Sequence, residues 1–231
     1  MKTSNILFVI FLGIGFFILT AFMIEMSTWD KYNALTAGQR TKDSKPGVIT
    51  ELPSFSHIKI KDMENVVLVS ERSKTPQMER IVVPEDDTPP AYTVSGDTLI
   101  ISPTDGDIDT ELSKIVCEKG LKSITAINSH FIMVSLTEDS LSINLKGSDL
   151  RASDLNSQFG AMTIEARQDS RIEWFAGEID NLKLEMYSSN GSFQLPIEMV
   201  DADLTNSYLQ LKGAGKLMVQ KREGSRLEVR E

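Results

Sequence analysis

Apolar side chains fall on alternate positions through much of this chain, and small polar residues interrupt them at a nearly fixed interval. Ile124 and Ala126 precede Asn128 and Ser129; Ile143 and Leu145 precede Gly147 and Ser148; Ile164 and Ala166 precede Asp169 and Ser170. Leu184 and Met186 then precede Ser188 and Ser189, and Leu204, with the polar Asn206, precedes Ser207 and Tyr208. The first members of these pairs stand 19, 21, 20 and 20 residues apart. A second apolar position follows most corners, at Phe131, Leu150, Ile172, Phe193 and Leu209. Alternation at period two places such residues on one face of a strand, and Asn, Asp, Ser and Gly tolerate the backbone of a tight corner. Each unit therefore reads as strand, corner, strand, turn.

One such unit cannot bury its inward face alone, whereas stacked copies form a continuous apolar column. The pattern predicts an all-β, single-domain right-handed parallel β-helix, a β-solenoid of about twenty residues per rung. A helical reading fails on the period of two and on the interrupting Gly, Ser, Asp and Asn. An antiparallel sandwich or jelly roll also uses short strands and turns, and remains the alternative architecture. Residues 55 to 101 give less regular strands at 57–60, 66–69, 80–83 and 98–101, with a turn at 94–98, consistent with a cap. At the other end Leu217 to Val219 and Leu227 to Val229 finish in Arg230 and Glu231, and a charged last strand is expected to discourage end-to-end growth.

Ahead of the repeats, Ile6 to Ile24 is nineteen residues without a charge, long enough to cross a bilayer as a helix. Thr20 to Ile24 offers no small-x-small cleavage site, which favours an uncleaved signal anchor over a cleaved signal peptide. Basic residues are nearly balanced between Lys2 on one side and Lys31, Arg40 and Lys42 on the other, so orientation rests on the short amino-terminal tail before the apolar run. Trp29 and Tyr32 suit the membrane interface. The organisation expected is an anchor at 1–24, a tether at 25–52, and the solenoid at 53–231.

The solenoid resembles the bacterial head GIN domain family, described as candidate heads of autotransporter adhesins. The resemblance rests on Phe55 to Ile60 followed by Asn65 to Leu68, on Ser95 to Ile101, and on Leu121 to Ala126 opening the repeats. It spans roughly residues 53 to 231. Family corners are rich in Gly and Ser, and Arg167 to Asp169 and Lys221 to Glu223 depart from that. The resemblance implies a parallel β-helix in an exported, often membrane-anchored protein, with no catalytic residues to carry over.

Charge and chemistry narrow the function. The chain holds 24 basic and 33 acidic residues, a net −9; the first fifty residues contribute five basic and three acidic, leaving −11 for the rest. That sign argues against a nucleic-acid partner. Cys117 is the single cysteine, so no intrachain disulfide forms, and its apolar surroundings read as a packed strand. His57 and His130 read as solvent-facing strand and corner residues. Asp105, Asp107, Asp109 and Glu111 alternate as hard oxygen ligands do, yet Thr110 and Val116 stand where a helix-loop-helix calcium site needs Gly and Glu. A solvated acidic loop is expected, with no metal and no cofactor.

Asp149, Arg151, Arg171 and Glu173 fall near successive corners, and Trp174 and Phe175 are placed to stack on a ligand. Arg151, Arg171, Glu173, Trp174 and Phe175 are therefore the candidate binding residues. The expected function is a non-enzymatic, single-pass protein of the bacterial inner membrane, held through residues 6–24. Its C-terminal domain would lie in the periplasm or outside and bind an envelope protein or glycan in an adhesin-like way. The alternatives are a self-assembling scaffold at the membrane and, less favoured, an enzyme acting on polysaccharide.

Overall fold

The computed structural model describes residues 49–70, 75–80, 91–103, 113–222 and 224–230, all of them strand, turn or loop. The expected membrane segment 6–24, Trp29, Tyr32, most of the 25–52 stretch and the acidic run 105–111 lie outside the described residues. Among the described residues, nineteen strands form two sheets. The amino-terminal ones are β1 (Ile49–Glu51), β2 (His57–Lys61), β3 (Val66–Ser70), β4 (Gln77–Arg80), β5 (Ala91–Ser95), β6 (Thr98–Ser102) and β7 (Ser113–Cys117). The repeats supply β8 (Ser123–Ile127), β9 (His130–Val134), β10 (Thr137–Lys146), β11 (Asp149–Ala152), β12 (Gln158–Arg167) and β13 (Arg171–Trp174). They continue through β14 (Glu178–Tyr187), β15 (Asn190–Phe193), β16 (Ile197–Thr205), β17 (Tyr208–Leu211), β18 (Ala214–Lys221) and β19 (Arg226–Val229).

From β8 to β18 the chain makes five turns of a solenoid, its even strands pairing in parallel in one sheet and its odd strands in the other. The architecture is thus the all-β stack that the spacing predicts. Ile124, Ile143, Ile164 and Leu184 stand in register and are buried. The next member of that column is Ala202, whereas Leu204 continues the column of Met186. The pairing of Leu204 with Leu184 is therefore displaced by two residues. The rung from β14 to β16 advances by only eighteen, and alternation at period two reads the same after a shift of two.

The second sheet carries a similar correction. Gly191 takes the place next to Ile172, and Phe193 aligns with Trp174 and Leu211. The long Met186 side chain fills the room, since a Cβ on Gly191 would lie 3.2 Å from Met186 Cε. The long strands also bend. Two outward residues in succession, Asp139 and Ser140 in β10 and Asp180 and Asn181 in β14, break the alternation. Gly160 occupies this bend in β12, where a Cβ would approach Asp139 O to 2.9 Å.

Corners are made by residues with positive φ, among them Asn128 (48°), Gly147 (55°), Ser188 (47°) and Asn206 (50°). L residues adopt this conformation at some cost, which Asn and Gly tolerate best. The corner after β12 has one residue more, with Gln168 and Asp169 both at positive φ, so β13 follows β11 by 22 residues where β12 follows β10 by 21. A buried serine, Ser129, Ser148, Ser170, Ser189 or Ser207, lies at each corner from β8 to β17. Ser148 Oγ donates to Lys146 O and accepts from Ser129 N, and Ser207 Oγ donates to Thr205 O and accepts from Ser189 N. These hydroxyls satisfy amides that the corner removes from the sheet ladder.

The amino-terminal strands depart from sequence order. In one sheet β2 lies between β6 and β8; in the other β3 lies between β7 and β9. Residues 57–70 are thus an inner rung rather than a cap. The end beyond β6 and β7 continues in antiparallel strands, β5 against β6, β4 against β7 and β1 against β4. β1 falls within the stretch expected as a tether. Leu52, Phe55 and Met78 are buried here, and Tyr92 packs on the core.

Candidate binding surface

Parallel register turns the outward positions of the odd-strand sheet into columns whose successive members lie about 4.8 Å apart. His130, Asp149, Arg171, Asn190, Tyr208 and Arg226 form one column; Ile132, Arg151, Glu173, Ser192, Gln210 and Glu228 form the next. The structure therefore brings Arg151, Arg171 and Glu173 to a single face. Arg171 pairs with Glu173 across one strand, and the guanidinium of Arg151 lies 5.1 Å from the centre of the Phe175 ring in the next rung. Phe175 is 39% exposed.

Trp174 is excluded from that face. Strand alternation turns it inward, where it is fully buried, edge-on to Phe159 at 5.6 Å and stacked on Phe193 at 6.2 Å. Its indole Nε1 donates to Ala176 O at 3.0 Å. It cannot stack on a ligand and is a core residue. Phe175, one position on, is the aromatic that reaches the surface.

Two further Arg–aromatic pairs escaped the sequence reading. Arg167 lies 4.8 Å from the Tyr187 ring centre and Arg226 5.7 Å from that of Tyr208; each joins directly paired positions in neighbouring rungs. The signal was present in the spacing, since each partner stands one period from the other. Tyr208 also donates to Glu228 Oε2 at 2.8 Å, and Arg230 Nε donates to Glu228 Oε1 at 2.8 Å. These two bonds, Arg230 first, hold the Glu228 carboxyl below the usual carboxylate range. The same bond to Glu228 raises the Tyr208 phenol.

His57 is half-buried and partnered rather than simply solvent-facing. Its Nδ1 lies 2.6 Å from Ser123 Oγ and its Nε2 3.5 Å from Asp97, a Ser–His–Asp row in the order of a hydrolase triad. The row lacks what acyl transfer needs. Ser123 N and Lys122 N both donate to Ser56 O, so neither is available to an oxyanion. Asp97 is exposed and accepts from Ser56 Oγ at 2.8 Å, the leading cause of its lowered pKa. The trio ties β2, β8 and the β5–β6 turn together. Cys117 is buried as expected, and burial first, with the Glu138 charge second, pushes its thiol up to about 12. That is the opposite of activation.

No family model matches the chain, and no curated protein does. Among solved structures, a "putative adhesin" from Bacteroides fragilis superposes with a TM-score of 0.56 at 12% identity, covering 82% of this chain and 98% of that one. A "putative adhesin" from Parabacteroides merdae gives 0.41 at 13% identity, and a "putative lipid binding protein" from Parabacteroides distasonis 0.37 at 11%, each with the same coverage. The first of these shares the fold.

Proposed function

We propose that this chain is a non-enzymatic, adhesin-like protein of the cell envelope that binds a protein or glycan through the outer face of its odd-strand sheet. The observation that carries the reading is the ladder of Arg151, Phe175, Arg171 and Glu173 on a flat wall, where cations, carboxylates and an exposed ring repeat at the strand spacing. Such a wall suits extended, repetitive partners, and the aromatic ring with its neighbouring polar groups suits a sugar. The resemblance to the head GIN domain family and the adhesin name of the Bacteroides fragilis neighbour support the same reading. Residues 6–24 would hold the protein in the inner membrane, with the solenoid in the periplasm or outside.

Two measurements test it. A tag fused after Glu231 should be lost when spheroplasts are treated with external protease while a cytoplasmic control survives; protection until permeabilisation overturns the location. Retention of the full chain on isolated envelope material should fall about tenfold in a combined R151A and F175A variant, equivalent to about 1.4 kcal/mol. Unchanged retention would remove this face from the function.

A further inference from the structure

At its carboxyl-terminal end the solenoid finishes on two strands that, among the described residues, have a neighbour on one side only: β18 pairs with β16 and β19 with β17. The core columns arrive there uncovered. Leu217 continues the column of Leu182 and Val200 and is 37% exposed; Val229 continues that of Phe193 and Leu211 and is 48% exposed. The earlier members of both columns are buried. Lys221 takes the inward position next to Leu204, a cation in a column whose earlier members Ala166, Met186 and Leu204 are apolar. Met218, on the outward side of β18, is also exposed.

This end is basic in an acidic chain. Residues 212–231 hold six basic and three acidic side chains, whereas the whole chain carries a net −9. All six cations, Lys212, Lys216, Lys221, Arg222, Arg226 and Arg230, are exposed. Arg222 pairs with Asp203, and Arg226 and Arg230 with Glu228. Lys212, Lys216 and Lys221 have no ion-pair partner among the described residues. An inward-pointing charge on an edge strand ordinarily keeps apolar strands from adding to it, as expected of a charged last strand. It leaves the edge open to a strand that brings a carboxylate.

We propose that β18 receives an extended acidic segment of a different polypeptide, added to the even-strand sheet as one more strand. The backbone groups on the free edge of β18 supply the hydrogen bonds, and the side chains supply the choice of partner. The added strand sets apolar residues two positions apart beside Leu217 and Val219, and a carboxylate at the next alternate position beside Lys221. A further carboxylate on its other face meets Lys216. A second copy offering the same end is the less suitable occupant, because it sets exposed cations against exposed cations. Lipid is also less suitable, because acyl chains leave the free amides and carbonyls of an edge unsatisfied. This inference does not depend on what the lateral face binds.

The test uses the full chain in nanodiscs of neutral lipid. The probe is a labelled synthetic peptide of the length of β18, with two valines two positions apart and glutamates at the next alternate positions and on the other face. The expected result is saturable binding by fluorescence anisotropy that weakens with salt, together with slower amide exchange in β18 and none in β12. A combined Lys216→Glu and Lys221→Glu variant should bind this peptide about tenfold more weakly, and should bind instead a peptide with lysines in place of the glutamates. Absence of binding, equal affinity for polyglutamate of the same length, or binding without slower exchange in β18 would overturn the proposal. Two further outcomes would also overturn it. Exchange in β18 that slows with the concentration of the chain alone assigns the edge to a second copy, and exchange that slows without peptide in nanodiscs of anionic lipid assigns it to the membrane. Far-UV circular dichroism checks folding; if the combined variant unfolds, Lys216→Glu alone, on an exposed outward position, replaces it and must shift both affinities in the same directions.

Discussion

Glu138 stands in the column of Phe159, Ile179 and Ile197, a carboxylate where its counterparts are apolar. It faces the stretch before β8, and its carboxylate accepts from Gly120 N and Leu121 N at 3.0 Å. Glu138→Leu removes that acceptor, and each orphaned amide costs about 1–3 kcal/mol, a loss readable by denaturant titration. Burial, outweighing those two bonds, raises the Glu138 pKa above 4.5. The folded state therefore holds this proton more tightly than the unfolded chain does, and ionisation costs stability as pH climbs from the ordinary carboxylate range through the raised value. Thermal melts of wild type and Glu138→Gln across about pH 4 to 7 should show the wild type losing ground as pH rises. At Trp174, substitution by alanine should cost about 3–5 kcal/mol through the lost packing on Phe159 and Phe193. An unchanged denaturation midpoint would mean that the indole packs elsewhere. Neither role was legible in the sequence: nothing marks Glu138, in the polar run Thr137 to Ser140, as buried, and Trp174 beside Phe175 reads as a surface aromatic.

At the level of strands and corners, much more was legible. Period-two alternation fixes which residues face inward, and the polar corners fix where the chain turns, so Ile124, Ile143, Ile164 and Leu184 were aligned correctly from spacing. Shortened rungs defeat the same logic, as at Ala202 and Leu204, because parity alone cannot detect a displacement of two. The rungs at β2 and β3 were hidden for a different reason: their neighbours β6 and β8 are distant in sequence, and no local pattern records such pairing. The serine ladder offers a test at this scale. Ser148→Ala leaves Ser129 N without its 3.1 Å partner, at an expected cost of about 1–3 kcal/mol and with faster amide exchange at Ser129. Exchange at wild-type rate would show that water replaces the hydroxyl.

Across the molecule, a stack in which each rung touches only its neighbours loses stability from its open end. β18 is largely exposed along its length, whereas β12 and β14 alternate fully buried and outward positions. Hydrogen exchange of the dilute protein should therefore be fastest in β18 and β19 and slow progressively toward β12, and uniform protection would contradict a one-dimensional stack. The displaced order of the first rungs has a consequence for biosynthesis. A ribosome delivers β2 and β3 first, but their two flanks are not complete until Val134 has emerged, because β6 and β7 must slip beneath them and β8 and β9 above. Until then the growing polypeptide carries two-sided, unpaired apolar strands; afterwards each new rung settles on a finished platform as it appears. The strands up to β9 are thus expected to fold in a slow stage, and the remaining rungs in a fast one.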